Sequence, residues 1–295
     1  MNIQRLQGIV FCVLALLATC GTQLIGRFSP QTELILLAAL IVVLGVPHGA
    51  LDTLFAKRLY GIHTLRGWLG FGGIYLLLAA ATVGLWLVAP AGFLVGFLVI
   101  SAVHFSGDPA AGTPQIVRLL YAGTVLVFPS FFYAAETSQL FGHLVGREAA
   151  HAVSVGLSWL AWPWLGAVIL AVFERVCRDW LTALEVTAVS GLALLTPPLV
   201  AFTVFFCGMH SARHILRTAD YSGRSEVRLL AVAALLPMLG VLAASAGAWY
   251  FLQDTALDAR VIQIVFVGLA ALTVPHMALV ERVRFSGWLK PTERP

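Results

Sequence analysis

LTALEVTAVSGLALLTPPLVAFTVFFCGMHSARHIL, residues 181–216, is apolar over too great a length for one membrane helix and is interrupted by Pro197-Pro198. A proline nitrogen has no hydrogen to give, and its ring crowds the preceding turn. The residue before it is pushed out of helical geometry as well. The stretch therefore reads as two short helices, 181–195 and 198–216. Eight further apolar runs, 8–26, 33–51, 69–88, 91–107, 116–135, 152–173, 229–251 and 261–281, can each span a bilayer core. That makes ten helices. With ten, every one of the 18 Lys and Arg residues except Arg27, Arg147 and Arg260 falls on the side that carries both termini. Without the break at Pro197, the basic residues between 207 and 261 change sides and the bias is lost. Basic residues stay on the cytoplasmic side, so the charges predict ten helices with both termini cytoplasmic.

Composition agrees. Of 295 residues, 60% are hydrophobic and 11% charged, where a soluble domain carries roughly 25% charged residues. The mean hydropathy is +0.91. The expected fold is an all-α polytopic membrane bundle, a single integral-membrane domain over 1–295, in the cell (inner) membrane. The net charge of +4 reads as a topology signal, and no nucleic-acid partner is expected. Cys12, Cys20, Cys177 and Cys207 lack CxxC spacing and imply no disulfide framework or zinc ribbon. Leu17-Ala18-Thr19-Cys20 faintly resembles a lipoprotein cleavage site, but the apolar run continues to Ile25. It is read as an uncleaved first helix. The two lysines, Lys57 and Lys290, lie outside the spans, which excludes a retinal Schiff base within the bundle. Nucleotide-binding and serine-hydrolase motifs are missing.

Four helices run toward the cytoplasm and carry histidine near their ends. The motifs are Pro47-His48-Gly49-Ala50-Leu51-Asp52, His104-Phe105-Ser106-Gly107-Asp108, Gly208-Met209-His210 through Arg213-His214, and Val274-Pro275-His276-Met277. The helix count made no use of these histidines, yet it sets all five at one depth. Intramembrane ionisable residues are costly and mark function. His210 and His214 are four apart and share a helix face, a spacing suited to two ligands of one metal. Asp52 and Asp108 stand four residues after His48 and His104. A carboxylate there accepts the second ring N–H of a metal-bound histidine or ligates the metal itself. Gly45, Gly49, Gly107 and Gly208 permit close helix approach, and Pro47 and Pro275 can kink their helices. Some of Phe55, Phe105, Phe205 and Phe206 are expected to line an apolar cavity and others to face lipid. His63, His143 and His151 read as solvated loop residues, and Arg213 as a snorkelling interfacial charge. Nitrogen-rich ligation suits Fe(II), Zn(II) or Cu(II), and composition does not choose among them.

These motifs, in this order, resemble those of the Brp/Blh β-carotene dioxygenases, from the second helix to the tenth. The resemblance implies an iron-dependent membrane oxygenase that takes Fe(2+), cleaves the central 15,15′ double bond of β-carotene with O2 and releases two all-trans retinal molecules. It makes His48, His104, His210 and His214 the iron-binding and catalytic residues. Asp52, Asp108 and His276 are expected as supporting residues around them. β-Carotene has no polar handle and dissolves in the lipid bilayer, so recognition is expected by shape, in a tunnel whose foot holds the metal. Two other classes remain at this stage. One is a zinc-dependent membrane amidohydrolase of the alkaline-ceramidase kind; the other is a bis-histidine haem protein.

Overall fold

The computed structural model describes residues 3–24, 29–223 and 226–282. Every regular element among them is helical. The elements are α1 (Ile3–Leu24), α2 (Pro30–Tyr60), α3 (Leu65–Val88), α4 (Pro90–Phe105), α5 (Gln115–Phe132), α6 (Ala134–Val145), α7 (Arg147–Val176), α8 (Trp180–Leu195), α9 (Pro198–Ser222), α10 (Val227–Phe251) and α11 (Leu257–Arg282). Eight of these are long and apolar enough to cross a membrane, and α4 and α8 are shorter apolar helices. The chain is an all-α polytopic bundle. Arg27, Arg224, Arg284, Lys290 and Arg294, which contribute to the charge asymmetry, lie outside the described residues.

The break at Pro197 falls where the sequence places it. α8 ends at Leu195, Thr196 is extended (φ −125°, ψ 152°), and Pro198 opens α9 in the first turn, where no N–H is needed. One helix was not expected. The spans predicted at 116–135 and 152–173 leave 136–151 as a connection, but α6 fills most of it. Thr137, Leu140, Phe141 and Leu144 recur at i, i+3, i+4 and i+7, the period of a helix with one apolar face. Gly146, at φ 83°, turns the chain sharply from α6 into α7.

Polarity is distributed as lipid demands. Leu76, Leu77 and Leu236 point outward, and α3 buries no residue at all. Inside, Phe11, Tyr121, Phe128, Phe205 and Met209 form the main core between α1, α5 and α9. The buried interior also holds all five motif histidines, together with Asp52, Asp108, Glu185, Arg118 and Arg213.

Candidate metal centre

The two helices that carry His48 and His210 are both irregular at the site. In α2, residues Ile41–Gly45 form a π-helical turn in which Val46 N–H reaches five residues back to the Ile41 carbonyl (2.9 Å). Pro47, which has no N–H to give, follows directly. In α9, Phe205–Ser211 is π-helical and includes His210. Such turns shift the angular register of every side chain after them and concentrate at functional sites. His104 sits in the last turn of α4, and His276 follows Pro275 inside α11. Gly45 is required by packing. A Cβ there would run into the Phe206 ring, which in turn packs edge-on against His48 at 5.5 Å. Of the other glycines, Gly208 meets Phe11 and Leu14 at ordinary contact and Gly49 faces open space.

The five histidines form one cluster. Ring centroids lie 5.1 Å apart for His48 and His210, 5.3 Å for His48 and His214, and 5.0 Å for His104 and His276. His214 and His276 are 4.8 Å apart. The i,i+4 pair His210 and His214 spans 6.3 Å with nearly parallel rings. Nε2 of His104 lies 2.9 Å from Nε2 of His210. His48, His104 and His276 each offer one nitrogen within 4.8 Å of the others.

Hydrogen-bond partners fix the tautomers. His48 Nδ1 lies 2.5 Å from the Gly45 carbonyl, which only accepts, so the proton sits on Nδ1 and Nε2 keeps its lone pair. The Ser211 hydroxyl lies 3.1 Å from the same nitrogen. His210 Nδ1 donates to Asp108 at 2.9 Å, and His276 Nδ1 donates to Asp52 at 2.7 Å. Both carboxylates therefore support histidines, but on other helices than their own. Leu51 (ψ 0°) breaks α2 between His48 and Asp52, and α4 has ended before Asp108. Neither pair stays on one regular helical face, and the carboxylates reach across the bundle instead. Tyr75 on α3 donates to the second Asp52 oxygen at 3.0 Å.

Arg213 does not snorkel. It is 4% exposed and forms a two-pronged ion pair with Glu185 on α8 (2.7 and 3.1 Å). Its Nε donates to Gln7 Oε1 at 2.9 Å, and its Nη1 also reaches the Asp108 carbonyl at 3.1 Å. Gly8 leaves room for this pair, since a Cβ there would strike the Glu185 carboxylate. Arg217 donates to the Gly107 and Asp108 carbonyls at 2.7 and 2.8 Å. Arg118 donates to the carbonyls of Ser106 (3.0 Å), Ala110 (2.7 Å) and Thr113 (3.1 Å). Three arginines thus hold the turn after α4, and with it Asp108. The sequence signal for Glu185 was an acid in the middle of an apolar helix. Tyr75 and Gln7 had no signal, because each matters only through a distant partner.

His63 is exposed in a loop as expected, whereas His151 is exposed but lies on α7 rather than in a loop. His143 is half-buried, 3.6 Å from Asp258. Phe55, Phe105, Phe205 and Phe206 are all buried, so none of them faces lipid. An apolar cavity of about 80 Å³ lies one aromatic ring away from the cluster, lined by Leu94, Phe97, Ser101 and Phe105 of α4, Leu140 and Phe141 of α6, and Phe202 of α9. None of the five histidines lines it, and Phe105 stands between it and the rings of His104 and His210. The cavity follows α4 from Leu94 to Phe105, about 16 Å of helical rise. Phe202 stacks on Phe206 at 5.3 Å, and Phe206 on His210 at 5.8 Å, which carries the apolar wall up to the histidines.

This donor set fits a metal ion. His276 Nε2 is buried without a hydrogen-bond partner, a costly state for a polar atom. Two imidazole nitrogens bound to one metal at about 2.1 Å and a right angle lie about 3.0 Å apart, close to the His104–His210 separation of 2.9 Å.

Comparison with known proteins agrees with the motifs. The family model described as beta-carotene 15,15′-dioxygenase matches residues 39–283, from before His48 to beyond His276. A beta-carotene 15,15′-dioxygenase from an uncultured marine bacterium, 66A03, is 30% identical over 251 residues, 82% of this chain and 91% of the relative. A probable beta-carotene 15,15′-dioxygenase, Blh, from Halobacterium salinarum is 28% identical over 314 residues, 92% of this chain and 89% of the relative. No solved structure matches. With the family model covering every histidine of the cluster, the chain belongs to the beta-carotene 15,15′-dioxygenase family.

Proposed function

We propose that this chain is a non-haem iron dioxygenase of the cytoplasmic membrane, with both termini facing the cytoplasm. It cleaves the central 15,15′ double bond of β-carotene, and both atoms of O2 enter product, one in each of two retinal molecules. The observation that carries this reading is the buried five-histidine cluster, with an apolar cavity one aromatic ring, Phe105, away from it. His48, His104, His210 and His214 hold the iron. Bound there, Fe(II) supplies the capacity to react with O2, which no side chain of the protein has.

The remaining work falls to the chain's own residues. Gly45 and Asp108 keep the Nδ1 protons of His48 and His210 in place, so that Nε2 of each presents a lone pair. Arg118, Arg213 and Arg217 keep Asp108 from drifting. The cavity wall orients the polyene along α4 and excludes water. Its lining offers almost nothing polar, so a hydrocarbon is selected by shape, with Phe105 and Phe206 deciding how far it advances. The cavity is far smaller than a C40 polyene, so the helices around it must move apart to admit one.

The zinc amidohydrolase reading requires a serine or a carboxylate beside a metal-bound water. The one serine hydroxyl at the cluster described above, that of Ser211, lies against the Nδ1 edge of His48, away from its Nε2 lone pair. Asp52 and Asp108 are committed to ring N–H groups, and the nearby cavity is apolar. The reading is tested by expressing the chain in cells that accumulate β-carotene. Loss of colour with formation of retinal is expected, and His48→Ala, His104→Ala, His210→Ala and His214→Ala should each abolish it while the protein still inserts. Colour retained with wild-type protein in the membrane would refute the assignment.

A further inference from the structure

His276 stands apart from the four histidines named above only in the sequence. In space it is central. Its ring is 5.2 Å from His48, 5.0 Å from His104 and 4.8 Å from His214. It is 2% exposed. Its Nδ1–H is committed to Asp52, and Tyr75 holds the other oxygen of that carboxylate. The same Tyr75 hydroxyl lies 3.4 Å from the Leu272 carbonyl, one turn before His276 on α11. Three helices therefore converge to fix the orientation of one ring.

The result is a lone pair on Nε2 that is buried and without a partner, on a ring about 5 Å from three other imidazoles. His48, His104 and His276 are also the three residues whose nitrogens already lie close enough for one ion. A residue that merely supported another ligand would spend its hydrogen-bonding capacity on that ligand. His276 instead receives support from Asp52, in the arrangement that orients a metal-bound histidine.

We propose that His276 is itself an inner-sphere ligand of the metal, through Nε2, and that Asp52 and Tyr75 position it. This rests on the metal-centre reading above and enlarges its ligand set to five imidazoles. An octahedral ion would then keep one position for a small molecule. The geometry also gives Asp52 a role it shares with Asp108: each carboxylate carries one ligand histidine from another helix.

The test uses full-length protein in detergent, loaded anaerobically with Fe(II) and separately with Co(II), whose visible absorption reports coordination number. His276→Gln, which keeps bulk and polarity, should weaken Fe(II) binding at least about 100-fold and change the Co(II) bands. Tyr75→Phe should weaken binding about 10-fold, at the low end for a group that orients a ligand. Free imidazole should restore metal retention to His276→Gly. A structural role would give no such rescue. If wild type retains iron while His276→Gln binds it equally tightly with unchanged Co(II) bands, the His276 assignment is wrong and the four-histidine site stands. If wild type retains no metal, the metal-centre reading falls, and this assignment with it.

Discussion

A carboxylate that accepts a proton-bearing ring nitrogen determines which face of an imidazole carries the lone pair. Asp108 does this for His210 and Asp52 for His276. Asn in place of either Asp keeps the size but removes the charge that holds the N–H. Asp108→Asn and Asp52→Asn should therefore each lower iron affinity about 10–100-fold, measured by metal titration of purified protein. Unchanged affinity in both would mean that the carboxylates do not orient ligands. Gly45 acts by what it lacks. Gly45→Ala must displace the Phe206 ring, which contacts both His48 and His210. Retinal formation should fall at least about 10-fold in Gly45→Ala while membrane insertion is kept. Wild-type turnover would show that Phe206 has room to yield.

At the scale of elements, the site depends on two π turns and on an ion pair that ties α9 to α8. Glu185→Gln would leave Arg213 buried and uncompensated. A loss of about 3–5 kcal/mol is expected for breaking a buried pair, read by denaturant unfolding in detergent. Glu185→Gln combined with Arg213→Met should recover part of that loss, since the unpaired charge is gone. The helices themselves were legible in the sequence. Runs of apolar residues and the Pro197 break mark the eight helices long enough to span and the two shorter apolar ones, α4 and α8, because lipid leaves a chain little choice but helix. The histidine cluster was legible for the same reason, as five costly groups at one depth. α6 is hidden in the sequence because it is too short to span, and Glu136, Gln139 and His143 on its opposite face interrupt the run of apolar residues. The pairing of carboxylates with histidines was not legible either. It depends on where α2 bends at Leu51 and α4 stops at Phe105, and spacing alone does not give the register of a broken helix. Arg213 misled for a related reason. A basic residue at a helix end reads as interfacial until its partner, 28 residues upstream on α8, is known to lie beside it.

On the whole-molecule scale, the charge asymmetry predicts that reporter fusions at Gly146 and after residue 295 report opposite sides of the membrane. Equal signals would undo the ten-helix topology. The cavity makes a second demand. Phe105→Ala, which opens its end beside His104 and His210, should shift the cleaved bond or admit bulkier carotenoids. Unaltered product identity and substrate range would argue against selection by shape. The central claim is that iron held by this histidine cluster cleaves β-carotene at its centre. It is tested most directly by product analysis of purified, metal-stripped protein reloaded with Fe(II) or with Zn(II) and given β-carotene and O2. The Fe(II) form should yield two retinal molecules per β-carotene consumed, and the stripped and Zn(II) forms none. Equal turnover with Zn(II) or without metal, or off-centre products from the Fe(II) form, would contradict it.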